Sequence, residues 1–233
     1  MMALQPSRPA HMSSYAELCL QALAEQGLGD KISLGGAFGL LHYLDYRDTH
    51  DVDAWWTEKA TPGARERVIA TLQAALQPFG RVRVRTWGEV ASVELIVDSK
   101  AVFSFQVAQR SAQLRPSVQA PWTAVRLDSL PDLIGSKMVA LVERGAPRDF
   151  RDIYTICQAK LANPFQCWQL WRERQQLSNS DSDLMRARLA VETHLARIAR
   201  QRPLTQIVDP DQRAQAEEVR NWYKREFLDV NLD

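Results

Sequence analysis

The feature that most limits how this chain can fold is a change of rhythm along it. Between Arg81 and Val107 apolar residues recur at every second position, and beyond Ser129 they recur at the three-to-four spacing of helices. A strand turns successive side chains to opposite faces, whereas a helix returns to one face every 3.6 residues, so the two halves need different architectures. Arg81 to Trp87, Ser92 to Val97 and Val102 to Val107 predict three strands in an antiparallel meander, with Asp98-Ser99-Lys100 turning between the last two. Ahead of them, Tyr15 to Gly27 reads as a helix closed by its glycine, and Ile32 to Leu34 as a strand entering Gly35-Gly36. Ala37 to Leu44 reads as a helix, Val52 to Trp56 as a strand, and Ala64 to Leu76 as an amphipathic helix after the Thr61-Pro62-Gly63 turn. The expected fold class is α+β, a mixed or antiparallel sheet with flanking helices followed by a helical C-terminal half. The expected divisions are a disordered leader at 1–14, an α+β domain at 15–127 and a helical domain at 128–233.

Bulk properties narrow the function classes without choosing one. The 29 basic and 28 acidic residues leave a formal charge of +1, so attraction to a nucleic acid has to come from a local patch. Cys19, Cys157 and Cys167 fit neither a disulfide framework nor a zinc knuckle, and are expected in the core of a protein kept in a reducing compartment. The first fourteen residues lack the apolar segment of a secretory signal, and no run approaches the roughly 20 apolar residues of a membrane span. The expected location is cytoplasmic, without membrane contact.

Asp51 and Asp53 stand two positions apart in the Val52 to Trp56 strand, so they share a face while Val52 points the other way. Two adjacent carboxylates repel and call for a cation, and Mg²⁺ is commonly held by one or two carboxylates with phosphate oxygens completing its shell. Fourteen residues upstream of this pair, Gly35-Gly36 lets backbone N–H groups approach an anion at the start of a helix. With 28 acids in 233 residues, chance supplies about three acid-x-acid triplets, so the order strand, glycine pair, helix, acid strand carries the weight.

That order resembles the nucleotidyltransferase superfamily. Gly35, Gly36, Arg47, Thr49, Asp51, Val52 and Asp53 look like the AbiEii/AbiGii toxin branch, whose form is a glycine pair followed by Arg-x-Ser/Thr-x-Asp-apolar-Asp. Aminoglycoside nucleotidyltransferases carry a similar first block. A second block separates the two: Lys137, Ala140, Arg144, Gly145, Arg148, Asp149, Asp152 and Ile153 match the toxin branch in Ser136 to Ile156. The resemblance in element order runs from Tyr15 to about Ala159.

The resemblance implies a nucleotidyltransferase-like sheet and a magnesium- or manganese-dependent enzyme moving a nucleoside monophosphate from an NTP to an acceptor, tRNA among the candidates, with a cognate antitoxin as partner. It implies Asp51 and Asp53 as metal ligands, Gly35 and Gly36 at phosphate, Arg47 and Thr49 ordering the loop before the acids, and Lys137 on the leaving pyrophosphate. Position alone also allows Lys137 to be a stem lying along an apolar arc with its ammonium in water. An acid of the second block belongs to the site: Asp152 is preferred, with Asp149 as structural partner, although Arg148 and Asp152 also fit a plain ion pair four residues apart. Nucleotidyltransferases often place a third carboxylate on a later strand, where this chain offers Ser104 and Gln106; Glu94 or Asp152 would substitute. Without a substitute, the chain would be a catalytically weak nucleotide- or RNA-binding protein, and a small-molecule, aminoglycoside-like transferase is the other alternative. Trp55 and Trp56 are read as core or site wall, and His42 and His50 as ordinary helix and loop residues.

Overall fold

The computed structural model describes residues 5–231. The described chain up to Ser111, together with Arg115–Leu133, forms one compact unit; Ala112–Leu114 and the chain from Ile134 onward form a second. The division falls later than the expected residue 127, inside a helix.

In the first unit, α1 (Ser14–Glu25), β1 (Ile32–Leu34), α2 (Gly36–Leu41), β2 (Asp51–Trp56) and α3 (Pro62–Leu76) precede β3 (Arg81–Trp87), β4 (Val90–Val97) and β5 (Lys100–Ala108). Two short strands, β6 (Val118–Gln119) and β7 (Arg126–Leu127), complete a seven-stranded sheet in the order β3-β4-β5-β2-β1-β7-β6. The meander β3-β4-β5 is antiparallel as its alternation predicts. Asp98 and Ser99 turn it with φ of 49° and 65°, the left-handed pair that a tight hairpin requires. What the alternation did not predict is the centre of the sheet, where β2 pairs parallel with β5 and antiparallel with β1.

Period two decides which side of that sheet is dry. Val52, Ala54 and Trp56 of β2, Val93 and Leu95 of β4, and Phe103, Phe105 and Val107 of β5 pack with Leu20 and Leu23 of α1 and Val68, Leu72 and Leu76 of α3. Each such side chain removed from water is worth roughly 1.5–3 kcal/mol, so the register is fixed: a slip by one residue would bury the aspartates instead.

Part of the segment expected as a leader makes defined contacts. From residue 5 the chain has definite partners: Ser7 N–H donates to His42 O at 2.7 Å, Ala10 N–H to Asp45 Oδ2 at 2.7 Å, and the Arg8 guanidinium lies 5.5 Å from the centre of Trp122. Residues 1–4 lie outside the described residues.

The second unit is helical. The helix α4 (Leu130–Glu143) carries the chain into it, followed by α5 (Pro147–Gln158), α6 (Pro164–Leu177), α7 (Leu184–Gln201), α8 (Pro210–Trp222) and a π-helical turn at Tyr223–Phe227. Its centre is aromatic: Trp168, Trp222 and Tyr223 pack their rings against Phe227, and Trp168 Nε1–H finds the Phe227 carbonyl at 3.2 Å. A large ring with one polar handle suits this position. No described helix is long and apolar enough to cross a membrane.

Candidate active site

Asp51, Asp53 and Trp55 line the face of β2 opposite the apolar core, with Asp51 exposed and Asp53 half-buried. Thr49 sits at the entry to the strand, its hydroxyl 3.2 Å from Asp51 O and 3.4 Å from Asp51 N. Arg47 lies in the same loop, its guanidinium 5.6 Å from the Tyr46 ring centre.

The glycine pair has a steric reason beyond any anion. Gly35 N–H donates to Asp53 O at 2.8 Å, which draws the turn onto the acid strand. A Cβ on Gly36 would stand 2.3 Å from Asp53 Oδ2, and one on Gly35 would stand 2.4 Å from Trp55 Nε1. Gly36 also has φ of +57°, a conformation that L side chains rarely adopt. The structure thus brings Gly35, Gly36 and Asp53 together. The helix that follows has only six residues, so its dipole is short.

Register extends the acid face across the sheet. Asp51 is opposite Ser104, which is opposite Glu94, which is opposite Arg83; Asp53 starts a parallel row with Gln106, Ser92 and Arg85. Ser104 Oγ donates to Asp51 Oδ1 at 2.9 Å. Glu94, the candidate third carboxylate, is two strands from Asp51, roughly 10 Å at ordinary strand spacing, and Arg83 Nε donates to its Oε2 at 2.7 Å. Among the described residues no three His, Cys, Asp or Glu side chains form a metal-binding group. The donor set at Asp51 and Asp53 is two carboxylates on one open face, which suits a hard divalent ion that takes its remaining oxygens from phosphate and water.

The second block belongs to the helical unit. Lys137 on α4 and Asp152 on α5 are buried and joined, Nζ to Oδ2 at 2.5 Å. The lysine ammonium is therefore not snorkelling into water. Asp149 does a different job: Arg144 grips both its oxygens at 2.9 and 2.6 Å, and Ala146 N–H donates to Oδ2 at 2.9 Å, closing the first turn of α5. Arg148 is exposed, and Asp152 is paired with Lys137. On α7, Arg186 is drawn to Asp181 at 3.1 Å and Arg197 donates to the Arg144 carbonyl at 2.9 Å.

Sequence reasoning missed one cluster in the first unit. Asp128 is 1% exposed; its Oδ1 accepts Ser33 Oγ–H at 2.6 Å and Arg110 Nη2–H at 2.6 Å. Burial raises the Asp128 carboxyl above its ordinary range, against the lowering pull of Arg110 and Ser33. The only signal was an acid closing the apolar strand end Val125 to Leu127, which is weak because aspartate there usually starts a helix. Trp56 proves to be core and Trp55 lies on the acid face; His42 is buried, stacked on Trp122 with ring centres 5.9 Å apart.

A family model described as nucleotidyl transferase AbiEii toxin, type IV TA system, matches residues 18–229. No curated protein matches the chain in sequence. Among solved structures, JHP933 from Helicobacter pylori is similar at 15% identity and a TM-score of 0.50, over 92% of this chain and 95% of that one. A second H. pylori protein, solved as a candidate nucleotidyltransferase, is similar at 14% identity and a TM-score of 0.51, over 92% of this chain and 98% of that one. At such identities the likeness is one of fold.

Proposed function

The chain belongs to the AbiEii nucleotidyltransferase family, and from that premise we propose that it transfers a nucleoside monophosphate from an NTP, with Mg²⁺ or Mn²⁺, to an acceptor hydroxyl. The observation that carries this reading is the open face bearing Asp51 and Asp53, with Gly36 backed against the second carboxylate.

In the reaction the acceptor oxygen attacks the α-phosphorus and pyrophosphate leaves. A divalent ion, when bound by Asp51 and Asp53, supplies Lewis-acid charge to the phosphate oxygens. The chain's own work is positioning and charge neutralisation, which dominate phosphoryl chemistry. Gly35 and Gly36 keep side chains out of the way of a phosphate beside the acids. Thr49, with Arg47 behind it, sets the loop that leads into Asp51. Lys137 supplies positive charge to the departing pyrophosphate, and Asp152 keeps that ammonium charged and aimed, or takes the acceptor proton.

The acceptor we favour is RNA of the tRNA class, and the family description supports a cognate antitoxin and a cytoplasmic setting. A second reading, a catalytically weak nucleotide-binding protein, is favoured by one feature: Ser104 stands in the row of Asp51 where a third carboxylate would complete the set. Calorimetry with Mg²⁺ and each of four NTPs, paired with label transfer to bulk RNA, separates them. Binding with transfer supports the enzyme, binding without transfer supports the weak form, and transfer only to small amine or hydroxyl compounds supports an antibiotic-modifying type. Asp51→Asn and Asp53→Asn should abolish metal-dependent NTP binding; full affinity in both variants would remove the site.

A further inference from the structure

Resting on that reading, we propose that Arg110, held by Asp128, binds the terminal phosphates of the nucleoside triphosphate.

The argument starts from rows across the sheet. Trp55 is opposite Ala108 on β5 and Ser33 on β1, and Ser33 is opposite Arg126 on β7. This row lies on the acid-bearing face, one pleat repeat beyond Asp53, which is roughly 7 Å along the strand. Arg110 leaves the sheet two residues after Ala108, yet its Nη2 reaches Asp128 Oδ1, the same oxygen that takes the Ser33 hydroxyl. Asp128 follows β7 and Ser33 lies on β1, so this bond ties the segment after β5 to the β1–β7 side of the sheet. Asp128 is fixed there by its own backbone, its N–H donating to Leu34 O at 2.8 Å, one residue before Gly35.

A polyphosphate whose α-phosphate sits at Asp51 and Asp53 brings several negative charges, and a divalent ion between two carboxylates cancels only part of them. The other arginines on this face are engaged or distant. Arg83 is paired to Glu94, Arg126 donates to the Ser117 hydroxyl at 3.0 Å, and Arg85 is three strands away from Asp53. Arg110 is different: its side chain is one-tenth exposed, and Asp128 takes a bond from one nitrogen of a fork that carries five donors. A guanidinium immobilised in this way gives up little rotamer freedom when phosphate binds. The Ser33 row at which it is held, one pleat repeat from Asp53, suits the far end of the triphosphate and not the reacting phosphorus.

The experiment is calorimetry of the full chain with Mg²⁺ and the same nucleoside as NTP, NDP and NMP, for wild type, Arg110→Gln, Arg110→Lys and Asp128→Asn. Arg110→Gln should weaken NTP binding about ten- to a hundredfold, the weight of one or two charge-assisted hydrogen bonds, and leave NMP binding within about twofold. Arg110→Lys, which keeps the charge and a bond to Asp128, should recover part of the loss and guards against a glutamine variant that fails to fold. Asp128→Asn keeps the acceptor oxygen and removes the competing charge, so NTP should bind at least as tightly as in wild type. A residue that only stapled the loop would lower affinity equally for NTP and NMP, or for neither, and either result overturns the proposal. Wild-type protein that binds no NTP would instead overturn the reading on which it rests.

Discussion

The acid pair on β2 and the lysine–aspartate pair between α4 and α5 solve opposite problems. Asp51 and Asp53 are two like charges held near water by strand register, with Val52 and Ala54 buried on either side as the anchor. Lys137 and Asp152 are opposite charges removed from water and held by each other at 2.5 Å. The first arrangement leaves Asp51 exposed and Asp53 half-buried on one face, where the pair can take a cation. The second costs desolvation that the ion pair helps to offset, so removing one member leaves the other's charge poorly compensated.

The largest effect we expect from breaking this contrast is on chemistry. Asp53→Asn should lower nucleotidyl transfer by at least about a hundredfold, while the unfolding midpoint in urea changes little, since the asparagine keeps the shape and an acceptor oxygen. A large loss of stability would show that the pair is structural. Next, Lys137→Met should destabilise the helical unit by about 3–5 kcal/mol, read from chemical denaturation. The double variant Lys137→Met with Asp152→Leu should regain part of that, because the aspartate is no longer left against an apolar side chain; a double variant as weak as the single would disprove this account. Gly36→Ala should cost about 1–3 kcal/mol for a side chain forced into left-handed backbone. It should also weaken Mg²⁺-dependent NTP binding, since its Cβ lands on Asp53 Oδ2.

The smallest effect concerns pH. Burial holds the His42 imidazole below its ordinary value of 6.5. The unfolded chain therefore takes the proton first as pH falls, so the contribution is complete above about pH 6.5 and is lost progressively below it. His42→Gln should flatten this part of the thermal-stability profile between pH 7 and 5; an unchanged slope would place the titration elsewhere.

Much of the fold was legible because its signals are local. Alternation specified β3, β4 and β5, the Asp98-Ser99 turn specified their hairpin, and the i, i+2 spacing put Asp51 and Asp53 on one face before any partner strand was known. Lys137, at the edge of an apolar arc, was legible as pointing toward protein, although what it would meet was not. The two-residue strands β6 and β7 and the ordered contacts of Ser7 to Ala10 were not, because each is too short for a periodic pattern and exists through distant partners.

Sequence alone determined the spacing of chemical groups along each element, since backbone geometry converts spacing into direction without help from elsewhere. Tertiary structure alone decided which elements became neighbours. The parallel seating of β2 on β5 put Ser104 against Asp51, and the return of the chain at Asp128 gathered Ser33 and Arg110 from 95 and 18 residues away. Those pairings depend on burying apolar surface across long loops, a sum over the whole unit that no short stretch of residues encodes.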